Sequence, residues 1–273
     1  MCGIFGIGFL KDNSVNNKRE IIQLVRNLFK NVESRGRRAS GIAITSSKDI
    51  SVLKGPMSGS QFIETTEFSK LLNSKLRLSE TYVDVERTLA IIGHCRLDTK
   101  GSPSDNANNH PIVVNNIVGV HNGVIGNDDA IYNVAPEGFP KRIGRVDSEV
   151  IFASIEYYRQ TIELKMVEAI ERTIRDIRGS VACAVVDARS PYNLWLFRQN
   201  NPISVMLSEK AGIFVFASQY HMAKESIGNM FGSTEEIVMP VYSSLCINLH
   251  YNSYSTHDLP AGGRSVLGVG GYL

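Results

Sequence analysis

The second residue of this chain is a cysteine, behind Met1. Removal of an initiator methionine ahead of so small a residue would put a thiol and a free α-amine on the same residue. The amine has a reference pKa of about 7.7–8.0 and the thiol about 8.5. The amine can therefore take the thiol proton near neutral pH, directly or through a water, with no histidine involved. The alternative is a small residue that merely follows the initiator. Five further residues have suitable chemistry. Arg96 offers a planar fork for a carboxylate, or is a surface arginine at a strand end. Thr99 can add a hydroxyl to the same carboxylate. Asn122-Gly123 offers a side-chain amide and a backbone N–H for an oxyanion, or forms a type I′ hairpin turn. Asp147 offers a negative charge for an ammonium, or caps the helix that follows it, and both roles can coexist.

These groups act together only if the fold brings them together. The apolar run Gly3 to Leu10 reads as a buried strand beginning almost at the first residue. Chain ends usually fray, so an end held in an apolar strand points to work for the end itself. Residues 18–32 carry apolar side chains at helical spacing on one stripe. Strands are expected at 41–45, 50–54, 88–95 and 116–121, with a helix over 60–74 and an irregular stretch over 126–145. Two helices, 147–158 and 164–177, lead into a strand-rich final third: 181–187, 194–198, 203–207, 213–217, 237–241 and 244–249, with a helix near 219–227. Strands and helices are segregated, which argues for an α+β fold with mostly antiparallel sheets, each covered by helices.

Composition narrows the function classes. Lys plus Arg is 29 against 27 for Asp plus Glu, a net charge of +2. Such balance gives no support for a nucleic-acid or membrane-surface binder. With 43% hydrophobic and 21% charged residues the chain reads as an ordered globular protein. No run approaches the roughly 20 apolar residues of a membrane span, and the N-terminus lacks the basic start of a secretory signal. The four cysteines form no CxxC pair, which excludes zinc-ribbon and thioredoxin-like sites. Few and scattered, they fit a reducing cytoplasm. Cys95, Cys183 and Cys246 read as core thiols. His94, His110 and His121 lack metal-ligand spacing and read as hydrogen-bonded structural residues. Arg35, Arg37 and Arg38 read as a solvated basic loop.

Five motifs, in order, resemble those of the class II glutamine amidotransferases, which are N-terminal nucleophile hydrolases. Behind the Cys2-Gly3-Ile4-Phe5-Gly6-Ile7 opening, they are Arg35 to Gly41, Gly93 to Gly101, Asn108 to Pro111, His121 to Ile125 and Val146 to Ile151. Weaker matches extend the resemblance to about residue 250. It implies a four-layer αββα sandwich, with residues 2–250 as the amidotransferase domain and 251–273 as a Gly-rich extension. It implies that Cys2 attacks the side-chain amide of L-glutamine, with Asn122 and Gly123 as the oxyanion hole. Arg96 and Thr99 would hold the substrate carboxylate and Asp147 its ammonium. No cofactor or metal is required by that chemistry. Three positions depart from the pattern. Arg38 stands where an acidic residue is common, and Leu97 and Lys100 replace an aromatic and a histidine of the hexosamine-forming branch. Family members usually fuse this domain to one that uses the ammonia, and the expectation here is a glutaminase passing ammonia to a synthase on a separate chain. The alternatives are an inactive binding or regulatory relic, and an amidohydrolase acting on another γ-glutamyl amide.

Overall fold

The computed structural model describes residues 2–15, 17–78, 86–97 and 100–261. The apolar run behind Cys2 forms strand β1 (Gly3–Phe9), buried along its whole length. Helix α1 (Lys18–Val32) follows, started by the Asn17 side chain, which accepts from the Arg19 N–H at 3.1 Å. Its Ile21, Leu24, Val25, Leu28, Phe29 and Val32 form one buried stripe. Next come β2 (Ala39–Thr45) and β3 (Ile50–Gly55). The single helix expected over 60–74 is two, α2 (Gly59–Phe62) and α3 (Thr66–Lys75). The break arises because the Thr65 hydroxyl accepts from the Phe68 N–H at 3.2 Å and caps a new start.

Strands β4 (Ala90–Arg96), β5 (Ile112–Val114) and β6 (Ile117–Ile125) follow. Within the stretch expected to be irregular lies a short helix, α4 (Asp128–Asn133). Helices α5 (Glu149–Gln160) and α6 (Met166–Asp176) then lead into β7 (Gly179–Asp187), β8 (Asn193–Arg198), β9 (Ser204–Ser208) and β10 (Ile213–Ala217). Helix α7 (Tyr220–Ile227) and strands β11 (Glu235–Ile237), β12 (Ser243–Asn248) and β13 (Ser253–Asp258) complete the described chain. The sheet thus continues past residue 250 through β13, which pairs antiparallel with β12. The Gly-rich residues 262–273 lie outside the described residues.

Two sheets result, with orders β11-β9-β10-β1-β4-β2-β3 and β13-β12-β8-β7-β6-β5. Their pairings are antiparallel. Three apolar clusters define the layers. One holds Phe5, Ile7 and Ile91 against α1, α3 and α7. The second lies between the sheets, with Ile4 and Ile92 facing Val118, Val120 and Ala184. The third packs β6 and β7 against α5 and α6. This is the expected αββα sandwich. No helix among the described residues is long and apolar enough to cross a membrane.

Strand alternation then fixes where the chemistry points. Ile4 faces the other sheet, so Cys2, two residues earlier, faces it too. Gly3 pairs with Cys95, which puts Arg96 in the next ladder position beside Cys2. Val118 and Val120 face inward on β6, and Asn122 continues that face. The start of β1 and the end of β4 therefore carry Cys2 and Arg96 on one side of the interface, and β6 carries Asn122 on the other.

Candidate active site

Cys2 is held from three directions. Its Sγ donates to the Leu97 carbonyl at 3.3 Å and accepts from the Leu97 N–H at 3.3 Å. Its carbonyl accepts from Arg35 Nε at 2.8 Å. Its neighbour Ile4 is tied to Ser218, whose Oγ accepts from the Ile4 N–H at 2.9 Å and whose N–H donates to the Ile4 carbonyl at 2.9 Å. Arg35 is therefore an anchor of the Cys2 backbone rather than part of a wholly solvated loop, while Arg37 and Arg38 are exposed. Gly36 permits this arrangement: a Cβ there would sit 2.3 Å from the Arg96 carbonyl carbon and 2.4 Å from the Leu97 nitrogen. A solvent-open cleft of about 480 Å³ lies over this corner, lined by residues 33–38 and Leu97.

Burial pushes the Cys2 thiol pKa up, opposed by the Leu97 hydrogen bond and the charge of Arg96. Asp147 acts in the same direction as burial. The thiol is thus not set up as a resting thiolate.

Arg96 is buried, and its guanidinium is engaged with the loop beyond it. Nη1 donates to Asn109 Oδ1 at 2.8 Å, and Nη2 to the Lys100 and Gly101 carbonyls at 2.7 Å each. Thr99 lies outside the described residues. Asp147 is buried but does not cap α5. Ser148 is the residue at the cap position, and Asp147 Oδ2 instead accepts from the Ile125 N–H at 2.7 Å, at the end of β6.

Asn122 and Gly123 do not form a hairpin turn. They lie inside β6, paired with Ala182 and Val181 of β7. The Asn122 amide is fully buried, and neither its Nδ2 nor its Oδ1 has a partner among the described residues. Leaving such a group unpaired costs about 1–3 kcal/mol, so the position calls for a reason. Its backbone, by contrast, is fixed: the Asn122 carbonyl accepts from Asn201 Nδ2 at 2.8 Å, and that nitrogen also donates to Ser180 Oγ at 3.2 Å. Ser180 Oγ in turn accepts from the Val124 N–H at 3.2 Å. Gly123 has φ +155°, and a Cβ there would lie 1.8 Å from the Ser180 carbonyl oxygen. Only glycine fits.

The histidines brace this interface. His94 Nε2 lies 3.1 Å from the His121 carbonyl, linking β4 to β6 across the sheets. His121 is hydrogen-bonded through Nδ1 to Ser148 Oγ at 2.8 Å and through Nε2 to the Ser180 carbonyl at 3.1 Å. His110 differs from expectation. Neither of its ring nitrogens has a partner among the described residues, and it stacks on His94 with centroids 4.1 Å apart. Cys95 and Cys183 are buried and Cys246 is partly buried, all as free thiols.

Burial lowers the pKa of all three histidines, that of His94 to about 3. A ring kept neutral in the folded chain takes up a proton on unfolding once the pH falls below its unfolded value of about 6.5. Stability present above that pH is lost progressively as the pH falls towards the folded values. The melting temperature is therefore expected to drop by several degrees between pH 7 and pH 5.5. An unchanged melting temperature would mean that the three rings are not held neutral.

Residues 94–225, the stretch carrying Arg96, Asn122, Gly123 and Asp147, match a family described as a glutamine amidotransferase domain. The glutamine–fructose-6-phosphate aminotransferase of Streptococcus pneumoniae (strain TIGR4) is 30% identical over 210 residues, which are 77% of this chain and 31% of that enzyme. The same enzyme of Chlorobaculum tepidum is 30% identical over 228 residues, 80% of this chain and 32% of its own length. The chain contains a class II glutamine amidotransferase domain. The glutamine phosphoribosylpyrophosphate amidotransferase of Bacillus subtilis, solved with ADP and GMP, shares the amidotransferase fold. Its TM-score is 0.64 at 16% identity, over 94% of this chain and 49% of that one. A structure titled as the allosteric regulatory enzyme of purine biosynthesis gives 0.67 at 18% identity, with the same coverage. The amidotransferase domain described here spans about a third of the length of the curated relatives it matches.

Sequence reading did not find the parts that hold the site. Ser218, Asn201 and Ser180 are distant in sequence from the residues they fix. Their local signal went no further than the weaker family matches in which they fall, whereas the tight Gly36 and Gly123 positions lie inside the stronger motifs.

Proposed function

We propose that this domain hydrolyses L-glutamine to glutamate and ammonia through a thioester on Cys2, exposed as the first residue by removal of Met1. The observation that carries the proposal is the orphaned Asn122 amide, buried on the inner face of β6 across the sheet interface from the Cys2 thiol. A tetrahedral oxyanion formed by attack of Sγ on the glutamine amide carbon would satisfy its Nδ2, with the Gly123 N–H as second donor.

The raised pKa of the buried thiol makes a base necessary at the moment of attack, and the α-amine of Cys2 supplies it. Sγ bonds to the amide carbon and the thiol proton passes to the amine. The C–N bond then breaks and the amine returns the proton to departing ammonia. Water adds to the thioester and releases glutamate. Arg96, with Thr99, holds the α-carboxylate, and Asp147 holds the α-ammonium. The Arg96 fork is prepositioned against the loop carbonyls, and Asp147 is fixed by the Ile125 N–H. The glutamine–fructose-6-phosphate aminotransferases are about three times as long as the stretch that matches this chain, and the ammonia made here is proposed to pass to an acceptor enzyme on a separate chain. The domain boundary belongs to the same proposal: residues 2–250, with 251–273 as an extension that begins with the edge strand β13.

The test is intact-mass spectrometry before and after incubation with 6-diazo-5-oxo-L-norleucine, together with glutamate release from L-glutamine. The expected result is loss of Met1, a single adduct and accumulating glutamate. Glutamine binding by a processed chain that forms neither adduct nor glutamate would overturn the proposal in favour of an inactive relic. Release of ammonia only from another γ-glutamyl amide would replace the substrate.

A further inference from the structure

The amino-acid clamp has two arms, Arg96 and Asp147, on different strands and loops, and a clamp discriminates only if its arms keep a fixed spacing. Outside the residues assigned above, four charged side chains meet in one cluster. Lys100 Nζ lies 2.6 Å from Asp128 Oδ2 and 2.8 Å from Asp129 Oδ2. Arg142 Nη2 lies 2.7 Å from that same Asp128 oxygen, and its Nη1 lies 2.5 Å from Asp129 Oδ1. The Asp128 side chain is 4% exposed, so its charge requires partners, and two cations flank two anions.

The cluster joins the supports of both arms. Lys100 and its neighbour Gly101 offer the carbonyls that hold Arg96 Nη2. Arg142 Nη2 reaches the Arg145 carbonyl at 3.1 Å and the Val146 carbonyl at 3.4 Å, immediately before Asp147. Arg142 also opens the turn in which the Ile143 and Gly144 N–H groups both donate to Glu149 at 2.7 Å, fixing the start of α5. Asp128 and Asp129 sit in the first turn of α4, between the two supports.

We propose that Lys100, Asp128, Asp129 and Arg142 act as positioning residues that set the distance between Arg96 and Asp147, so that the site selects amides carrying both an α-carboxylate and an α-ammonium. This rests on the glutamine reading of the site. Lys100 is one of the three departures from the family pattern, and the cluster gives it a role.

The test compares two alkylating reagents on the processed full chain. Iodoacetamide needs only the Cys2 thiol, whereas 6-diazo-5-oxo-L-norleucine must also fill the clamp. Lys100→Gln is expected to slow alkylation by the diazo compound about tenfold, to raise the KM for glutamine more than it lowers kcat, and to leave the iodoacetamide rate unchanged. Lys100→Arg, which keeps the charge, is expected to restore most of the loss. Equal slowing with both reagents would mean a general disturbance of the fold and would overturn the proposal, as would no slowing with either. A wild-type chain that reacts with iodoacetamide but not with the diazo compound would instead remove the glutamine reading itself, and this proposal with it.

Discussion

Cys2→Ala is expected to lower glutamine turnover by about four orders of magnitude or more, while the protein folds and binds glutamine as before. The loss is large because the covalent route has no substitute. Cys95 lies in the next strand, but burial drives its pKa far above the ordinary thiol range. It also belongs to the cluster facing α1, on the opposite face of the sheet from Cys2. The structural cost is small, since among the described residues the thiol's hydrogen bonds are two weak ones to Leu97. A second variant separates the thiol from the amine. A chain that retains any residue ahead of Cys2 keeps the thiol but turns its nitrogen into an amide, which cannot act as a base. Its turnover is expected to fall nearly as far as that of Cys2→Ala, with the melting temperature unchanged. Glutamate release and intact mass, measured on the same samples, check both. Full turnover by an unprocessed chain would remove the α-amine from the mechanism.

The fold was legible wherever a local pattern decides the outcome. Helix α1 shows its apolar stripe within one window, and β1 is an unbroken apolar run, so both match expectation. The irregular stretch before Asp147 hid α4, because a helix of six residues has too few turns for a periodic signal. Strand β13 is exposed at all but the half-buried His257 and held by pairing with β12, so no apolar alternation marks it. Asn122-Gly123 carried the local signal of a turn, but β7 pairs along both residues and the tertiary partner prevailed. The motifs named the residues of the candidate site without showing what supports them. Lys100 read as a departure in a loop, and only contact with α4 and Arg142 shows that it is an ion-pair partner.

Asn122→Ala is expected to reduce kcat by about 10²–10³ with little change in KM, and to leave the protein as stable as before or more so. The two halves of this expectation have one cause. In the resting structure both polar atoms of the Asn122 side chain are buried without partners among the described residues, so the amide is desolvated there with no hydrogen bond from them in return. Alanine removes that burden. The carboxamide volume lost offsets part of the gain, which limits the rise in melting temperature. In the transition state the balance reverses, because the buried amide becomes a donor to an oxyanion. KM is little affected, since glutamine is held at its far end by Arg96 and Asp147. The β6 backbone stays in register because Asn201 holds the carbonyl of residue 122 whatever its side chain. A residue conserving stability alone would behave oppositely: its truncation would lower the melting temperature and leave kcat intact. Steady-state kinetics and thermal melts on the same preparation distinguish the two. Asn122→Asp sharpens the comparison, because it keeps the shape but places an acceptor, and at neutral pH a negative charge, against the developing oxyanion. Its kcat is expected to fall below that of Asn122→Ala, and a kcat equal to wild type would exclude the Asn122 amide from the oxyanion hole.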